Sequence, residues 1–193
     1  MALELVLATT NKGKIEEIRA LLPHVDFVPR PSGVGDIEET EDTFVGNARL
    51  KAEALVRATG LAALAEDSGL EVDALNGQPG VRSARFAGEH ATDQQNIEKL
   101  LADLRAVDDI DRTARFRTVA VVVYPDGSET IAEGSVEGHI LREQRGGNGF
   151  GYDPVFAPQQ HPDRTFAELT PAEKNAISHR GQALRRLQGL IGS

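Results

Sequence analysis

Residues 3–22 read LELVLATTNKGKIEEIRALL. Leu3–Ala8 is a short, mostly apolar run, the residues from Thr9 onward are polar, and Ile15, Ile18, Leu21 and Leu22 recur at helical spacing across Ile15–Leu22. The stretch therefore predicts strand, polar loop, helix. The alternation continues outward. Pro29–Gly35, with its prolines and glycines, breaks the pattern and leads into the acidic stretch Asp36–Asp42. Thr43–Thr59 reads as a helix ended by Gly60, and Leu61–Ala65 as a buried strand; Gly77–Gly80 is a turn cluster. Thr92 and Gln95 make a capping box ahead of Ile97, Leu100, Leu101 and Leu104. Arg115–Tyr124 and Glu129–Val136 flank Pro125-Asp126-Gly127-Ser128, a hairpin signal. Thr170-Pro171-Ala172-Glu173 places proline at the first helical position behind a capping threonine, opening a helical stretch to about Leu190. Interleaved strands and helices with one hairpin imply an α/β fold with a mixed sheet.

Composition narrows the function classes. The chain has 193 residues, 40% of them hydrophobic, and a net charge of −9. That length is enough for one domain with a substantial core. Without cysteine, disulfides, thiolate catalysis and cysteine-ligated metals are excluded. The acidic balance argues against a nucleic-acid partner, which needs a basic face. The longest apolar runs, Leu61–Ala65 and Val119–Tyr124, fall far short of the ~20 residues of a membrane span. Met1–Ala8 has no basic region or cleavage site, so no signal peptide is expected, and the expectation is a cytoplasmic protein without a membrane partner.

Several segments hold chemistry-bearing residues. Thr9, Thr10, Asn11, Lys12, Gly13 and Lys14 lie before the first expected helix, where free N–H groups and the helix dipole attract anions. They read either as a phosphate cradle or as a polar loop with surface lysines, and they lack the P-loop spacing. In the second helix Phe44, Ala48, Ala52, Leu55 and Ala58 form one apolar arc that also holds Lys51, with Asn47 one turn earlier. Lys51 either meets an anion there or snorkels to the helix end or a buried carboxylate; both readings require a nearby negative group. Only five of the chain's 21 basic residues are lysines, and Lys12, Lys14, Lys51 and Lys174 all fall in these segments.

Glu66-Asp67-Ser68-Gly69 follows the Leu61–Ala65 strand, where α/β sheets gather ligands, and Glu38-Glu39-Thr40-Glu41-Asp42 could add a second carboxylate. Such oxygens with substrate phosphates suit Mg²⁺; the alternative is two solvated acidic turns. Arg145–Pro154 is glycine-rich and carries Phe150 and Tyr152, aromatic faces for stacking a base unless the loop is only a flexible connector. In Lys174–Arg180, either one helix runs through with Arg180 on its apolar arc, or Ser178 caps a new helix and leaves His179 and Arg180 at an exposed N-terminus. His179 alone reads more readily as a surface or packing residue than as a catalyst.

Taken together and in order, Thr9–Lys14, Glu38-Glu39-Thr40, Phe44 through Asn47-Ala48 to Lys51-Ala52, Asp67-Ser68-Gly69-Leu70, Phe150–Pro154 and Ser178-His179-Arg180-Gly181 resemble the inosine triphosphate pyrophosphatase family, also described as dITP/XTP diphosphatases. Glu66 stands where that family often has an aspartate. The resemblance implies one domain over residues 1–193, two-lobed around a central active-site cleft, with a twisted mixed sheet and flanking helices, forming a homodimer. It implies Mg²⁺-dependent hydrolysis of ITP, dITP and XTP to monophosphate and pyrophosphate. Carried over by position, Asp67 would be general base and metal ligand and Glu38 the other metal carboxylate. Thr9–Lys14, Lys51 and Lys174 would hold phosphates; Ser68, Phe150, Gly151, Tyr152, Asp153, His179 and Arg180 would line the sugar and base end. A donor such as Arg180 would favour a 6-oxo purine over adenine, whose 6-amino group leaves buried donors unpaired. The rivals are a pyrophosphatase for other modified nucleotides and a non-catalytic nucleotide-binding module; a pure binder has no use for a water-activating carboxylate.

Overall fold

The computed structural model describes residues 3–35 and 37–191; Met1 and Ala2 of the opening run and Asp36 of the acidic stretch lie outside the described residues. In chain order the elements are β1 (Leu3–Leu7), α1 (Lys12–Leu21), β2 (Val25–Val28), α2 (Phe44–Thr59), β3 (Ala63–Val72), α3 (Asp93–Asp103), β4 (Thr113–Val123), β5 (Glu129–Ile140), β6 (Phe156–Pro158), α4 (Pro171–Ile177) and α5 (His179–Ile191), with short 3-10 turns between. The strands form one sheet in the order β2-β1-β3-β4-β5-β6. β1 runs parallel to β2 and β3 while β5 and β6 are antiparallel, so the sheet is mixed, as the alternation predicts.

The chain divides into two compact units. The first comprises Met1–Asp67, Thr118–Gly134 and Arg180–Ser193. Its core packs Leu5 and Leu7 of β1, Leu64 of β3, Ala120 and Val122 of β4, Ile18 and Leu22 around α1, and Leu184 and Leu187 of α5. The second comprises Ser68–Arg117 and Ser135–His179. It has its own core of Leu70 and Val72, Ile97 and Leu100 of α3, Val136 and Ile140 of β5, and the aromatic group Phe116, Phe156 and Phe166. Each buried side chain of this size contributes roughly 1.5–3 kcal/mol relative to exposure.

Local chemistry sets the ends of the elements. Thr43 caps α2 by accepting the Gly46 N–H, and Gly60 closes it at φ 68, a left-handed conformation open to glycine without strain. Thr92 and Gln95 form the expected capping box on α3. Four departures from the sequence reading bear on the site. α1 begins at Lys12 rather than Ile15, because the Asn11 side chain accepts the Lys14 N–H and draws Lys12-Gly13-Lys14 into the first turn. β2 is a strand that the sequence reading does not pick out, since its four residues are too short a run to signal one. β3 runs on to Val72, so Glu66 and Asp67 stand inside a strand instead of in a turn after it. Ser178 does break the last helix, but His179 and Arg180 are only 4% and 1% exposed, not presented at an open terminus.

At the start of α4, Glu173 accepts from Arg164 at 3.0 Å and from the Thr170 N–H at 2.8 Å. The Arg164 contact first, then Thr170, holds its carboxyl down to about 2 from the usual 4.5. A depressed carboxylate stabilises the fold above its unfolded value and loses that contribution as the pH falls toward its folded value. Glu173→Gln is therefore expected to melt below wild type at neutral pH, with the gap narrowing as the pH drops from 4.5 toward about 2 in a pH series of thermal melts.

Candidate active site

In an extended strand neighbouring side chains face opposite ways, and β3 uses this to give Glu66 and Asp67 different company. Asp67 faces α2. The Asn47 amide donates to its Oδ2 at 3.2 Å, and the Lys51 ammonium lies 3.7 Å from its Oδ1. Asn47 is fully buried; its oxygen accepts the Glu41 N–H at 2.9 Å and its nitrogen also reaches the Glu41 carbonyl at 3.1 Å. One amide thus fastens the acidic stretch ahead of α2 to the Asp67 carboxylate. Lys51 is bonded to Glu39 at 2.6 Å, so its ammonium lies against two carboxylates. Burial above all, with repulsion from Glu39, raises the Asp67 pKa against the pull of Lys51, Lys14 and Asn47. The result is a desolvated carboxylate more basic than a free aspartate.

Glu66 turns toward α1 and α5. Its carboxylate takes Arg180 Nε at 2.8 Å and a terminal nitrogen at 2.7 Å, and Lys14 Nζ lies 3.7 Å away. The other terminal nitrogen of Arg180 donates to Glu17. Burial opposes the Glu66 charge, but Arg180 and Lys14 outweigh it and its pKa is lowered. Burial lowers that of Lys14 despite Glu66. Ahead of α1, the Asn11 N–H rests on Thr9 Oγ1 at 3.1 Å; Thr10, Asn11 and Lys12 are exposed, Thr9, Gly13 and Lys14 half-buried.

In the second unit the glycine-rich loop folds around Asp153. Its Oδ2 accepts the Phe150 N–H at 2.9 Å and Lys174 Nζ at 2.7 Å, and Lys174 lies 4.8 Å from the centre of the Phe150 ring. The Gly151 N–H donates to Asp93 at the first turn of α3, at 2.7 Å. Gly149, at φ 77, lies against the Asp153 carboxylate, where an added Cβ would overlap it. Tyr152 is 4% exposed with its hydroxyl on the Ser83 carbonyl at 2.8 Å, so its ring belongs to the core and offers no face for stacking. His179 stacks on Phe116 with centroids 4.7 Å apart. Ser68, the first residue of this unit, is half-buried.

Gly149→Ala would combine backbone strain with this overlap and is expected to cost about 1–3 kcal/mol, a fall in Tm of roughly 3–10 °C at this size. Gly151 has φ 58 but open space around it, so Gly151→Ala should lose less. Thermal melts of the pair separate overlap from strain; equal losses would count against the packing of Asp153.

The model of the Ham1 family matches residues 5–190. The chain belongs to the Ham1 family. Among relatives of this Ham1 chain, a protein of Coxiella burnetii named dITP/XTP pyrophosphatase is 50% identical over 98% of this chain and 96% of its own length. One of Bacillus subtilis with the same name is 47% identical over 97% and 96%. A solved HAM1 protein structure from Coxiella burnetii superposes with a TM-score of 0.90 at 50% identity, covering 98% of both chains.

Sequence reasoning on this Ham1 chain named Asp67, Lys51 and Lys14, and the structure gathers them with Glu66 in the first unit. Glu38 is exposed, whereas its neighbour Glu39 is the one bonded to Lys51. Lys174, read as a phosphate ligand, is bonded to Asp153 beside Phe150. Arg180, read as a base donor, has both ends of its guanidinium on Glu66 and Glu17. Glu17 and Asp93 carry contacts that sequence reasoning did not single out; Asn47, noted for its place one turn before Lys51 on the inward face, carries the contact to Asp67. Among the described residues no helix is long and apolar enough to cross a membrane.

Proposed function

We propose that this chain hydrolyses non-standard purine nucleoside triphosphates, ITP, dITP and XTP, to the monophosphate and pyrophosphate, clearing deaminated purines from the nucleotide pool. The observation that carries the reading is the buried Asp67 carboxylate beside Lys51, in a chain that matches dITP/XTP pyrophosphatases from end to end. Phosphoanhydride cleavage needs positioning, charge stabilisation and one group to orient and deprotonate water. Asp67, desolvated and with its pKa raised by burial, is the base; Lys51 and Lys14, with the N–H groups that open α1, take the phosphate charge. The Phe150–Asp153 segment, braced by Lys174, serves the sugar and base together with Ser68 and His179.

The donor set fits Mg²⁺, which binds through one or two carboxylates and completes its shell with substrate phosphates and water. Glu39 and Asp67 already meet on one cation, the Lys51 ammonium, so these two carboxylates, rather than Glu38, would hold the ion. When bound it neutralises phosphate charge. Chelation is expected to stop pyrophosphate release and added Mg²⁺ to restore it; full turnover in excess chelator would contradict the assignment. A single two-lobed domain acting as a cytoplasmic homodimer completes the reading, on the family resemblance alone.

Initial rates over a panel of ITP, dITP, XTP, GTP and ATP test the substrate class. The 6-oxo substrates lacking a 2-amino group, with XTP, should exceed ATP and GTP by about 10²-fold or more, the discrimination available to a site that leaves polar groups unpaired against the wrong base. A flat profile, or preference for a modified pyrimidine, would overturn it.

A further inference from the structure

In the second unit the two arms of the glycine-rich loop are held by main-chain and core contacts. On one arm the Gly147 and Asn148 N–H groups both donate to the Ala167 carbonyl, at 3.2 and 3.1 Å. On the other, the Ala167 N–H donates to the Asp153 carbonyl at 3.2 Å, and the Tyr152 hydroxyl to the Ser83 carbonyl at 2.8 Å. The tip between them is Gly149-Phe150-Gly151, with its glycines at φ 77 and 58. Glycine has more backbone freedom to lose than any other residue, so a ring flanked by two of them needs a tether to stand in one place. Asp93 reaches this tip from α3, its Oδ2 accepting the Gly151 N–H at 2.7 Å, a charge-assisted bond. Its carboxylate is spared for that contact because Thr92 and Gln95 cap α3 between them. The helix is itself anchored one turn on: Asn96 is 2% exposed, accepts the Ala87 N–H at 2.8 Å and donates to the Ala84 carbonyl at 3.0 Å. An exposed carboxylate on a fixed helix thus holds the pliant segment that carries Phe150.

We propose that Asp93 is a positioning residue: by holding the Gly151 N–H it sets where the Phe150 ring stands, and so tunes affinity for the base of the substrate while leaving the phosphate chemistry alone. This rests on the reading above that the Phe150–Asp153 segment serves the sugar and base. Cutting such a tether costs binding that ground state and transition state share, a loss that appears in KM and not in kcat. The hydrogen bond is what matters and not the negative charge at the start of α3, so an amide oxygen in the same place serves nearly as well.

The chain has no tryptophan, so Phe150→Trp puts a single reporter at the tip. In that background Asp93→Ala should speed the local decay of tryptophan anisotropy and increase quenching by acrylamide, and Asp93→Asn should do neither. In the otherwise unaltered chain Asp93→Ala should raise KM for ITP about three- to tenfold, the size of one hydrogen bond, with kcat little changed. Asp93→Asn should recover most of that loss. Tripolyphosphate, which has the anhydride charge and no base, should bind wild type and Asp93→Ala equally in calorimetric titrations. An Asp93→Ala protein with a steady reporter or an unchanged KM would overturn the proposal, as would equal losses for ITP and tripolyphosphate, or an Asp93→Asn variant as impaired as Asp93→Ala. Should the Phe150→Trp chain fail to fold, amide hydrogen exchange over residues 147–153 in Asp93→Ala and wild type takes its place, with faster exchange expected in the variant. Failure of the wild-type chain to turn over ITP would sink the function, while the reporter would still show whether Asp93 holds the loop.

Discussion

Asp67→Asn lowers kcat for ITP by about 10²–10⁴-fold, the range that a positioned general base supplies, while equilibrium binding of ITP survives. The substitution keeps the size of the side chain and an oxygen for the Asn47 amide that meets Asp67 at 3.2 Å. What it removes is the charge, and with it the ability to take a proton from water. The position is suited to that task because Asp67 is 4% exposed and burial raises its pKa above the free value, against the opposing pull of Lys51. Single-turnover kinetics beside a binding isotherm separates the two effects. A variant that turns over at the wild-type rate would take Asp67 out of the role of base.

Lys51→Met lowers kcat/KM by about 10²–10³-fold, the usual loss when one preorganised donor to developing charge is removed. The ammonium is 2.6 Å from Glu39 and 3.7 Å from Asp67, and without it two carboxylates face each other in a partly desolvated place. Their repulsion disfavours the arrangement that α2 and the acidic stretch build, and the substrate loses a cation. If Lys51 merely lays its stem along the helix, KM and kcat for Lys51→Met will match wild type.

The outcome at Lys51 also shows what the sequence could and could not disclose. An amine on the inward face of an amphipathic helix demands an anion, and that demand is legible from spacing alone. Which carboxylate answers it is not. Glu38 and Glu39 sit in an irregular stretch with no periodicity to orient one above the other, and only the folded chain turns Glu39 toward Lys51. Likewise Arg180 called for acceptors, but Glu66 and Glu17 come from remote segments that no local pattern joins to it.

Caps and turns were the most legible parts of the fold, because their chemistry is local. Thr43 and Gly60 bound α2, the Thr92–Gln95 box opens α3, and the Pro125–Ser128 turn joins β4 to β5. Polar residues inside regular elements were the least legible. Glu66-Asp67-Ser68 lowers strand propensity and reads as a turn, yet β3 continues through it since each carboxylate finds cations and donors. Tyr152 reads as a stacking face in a polar loop because its long-range partner, the Ser83 carbonyl, is invisible in sequence.

The most direct test of the account is product analysis with purified protein, ITP and Mg²⁺, resolving nucleotide and phosphate products together. The account predicts IMP and pyrophosphate in equal amounts, with no IDP. Release of IDP with orthophosphate, or ITP left intact, would contradict it.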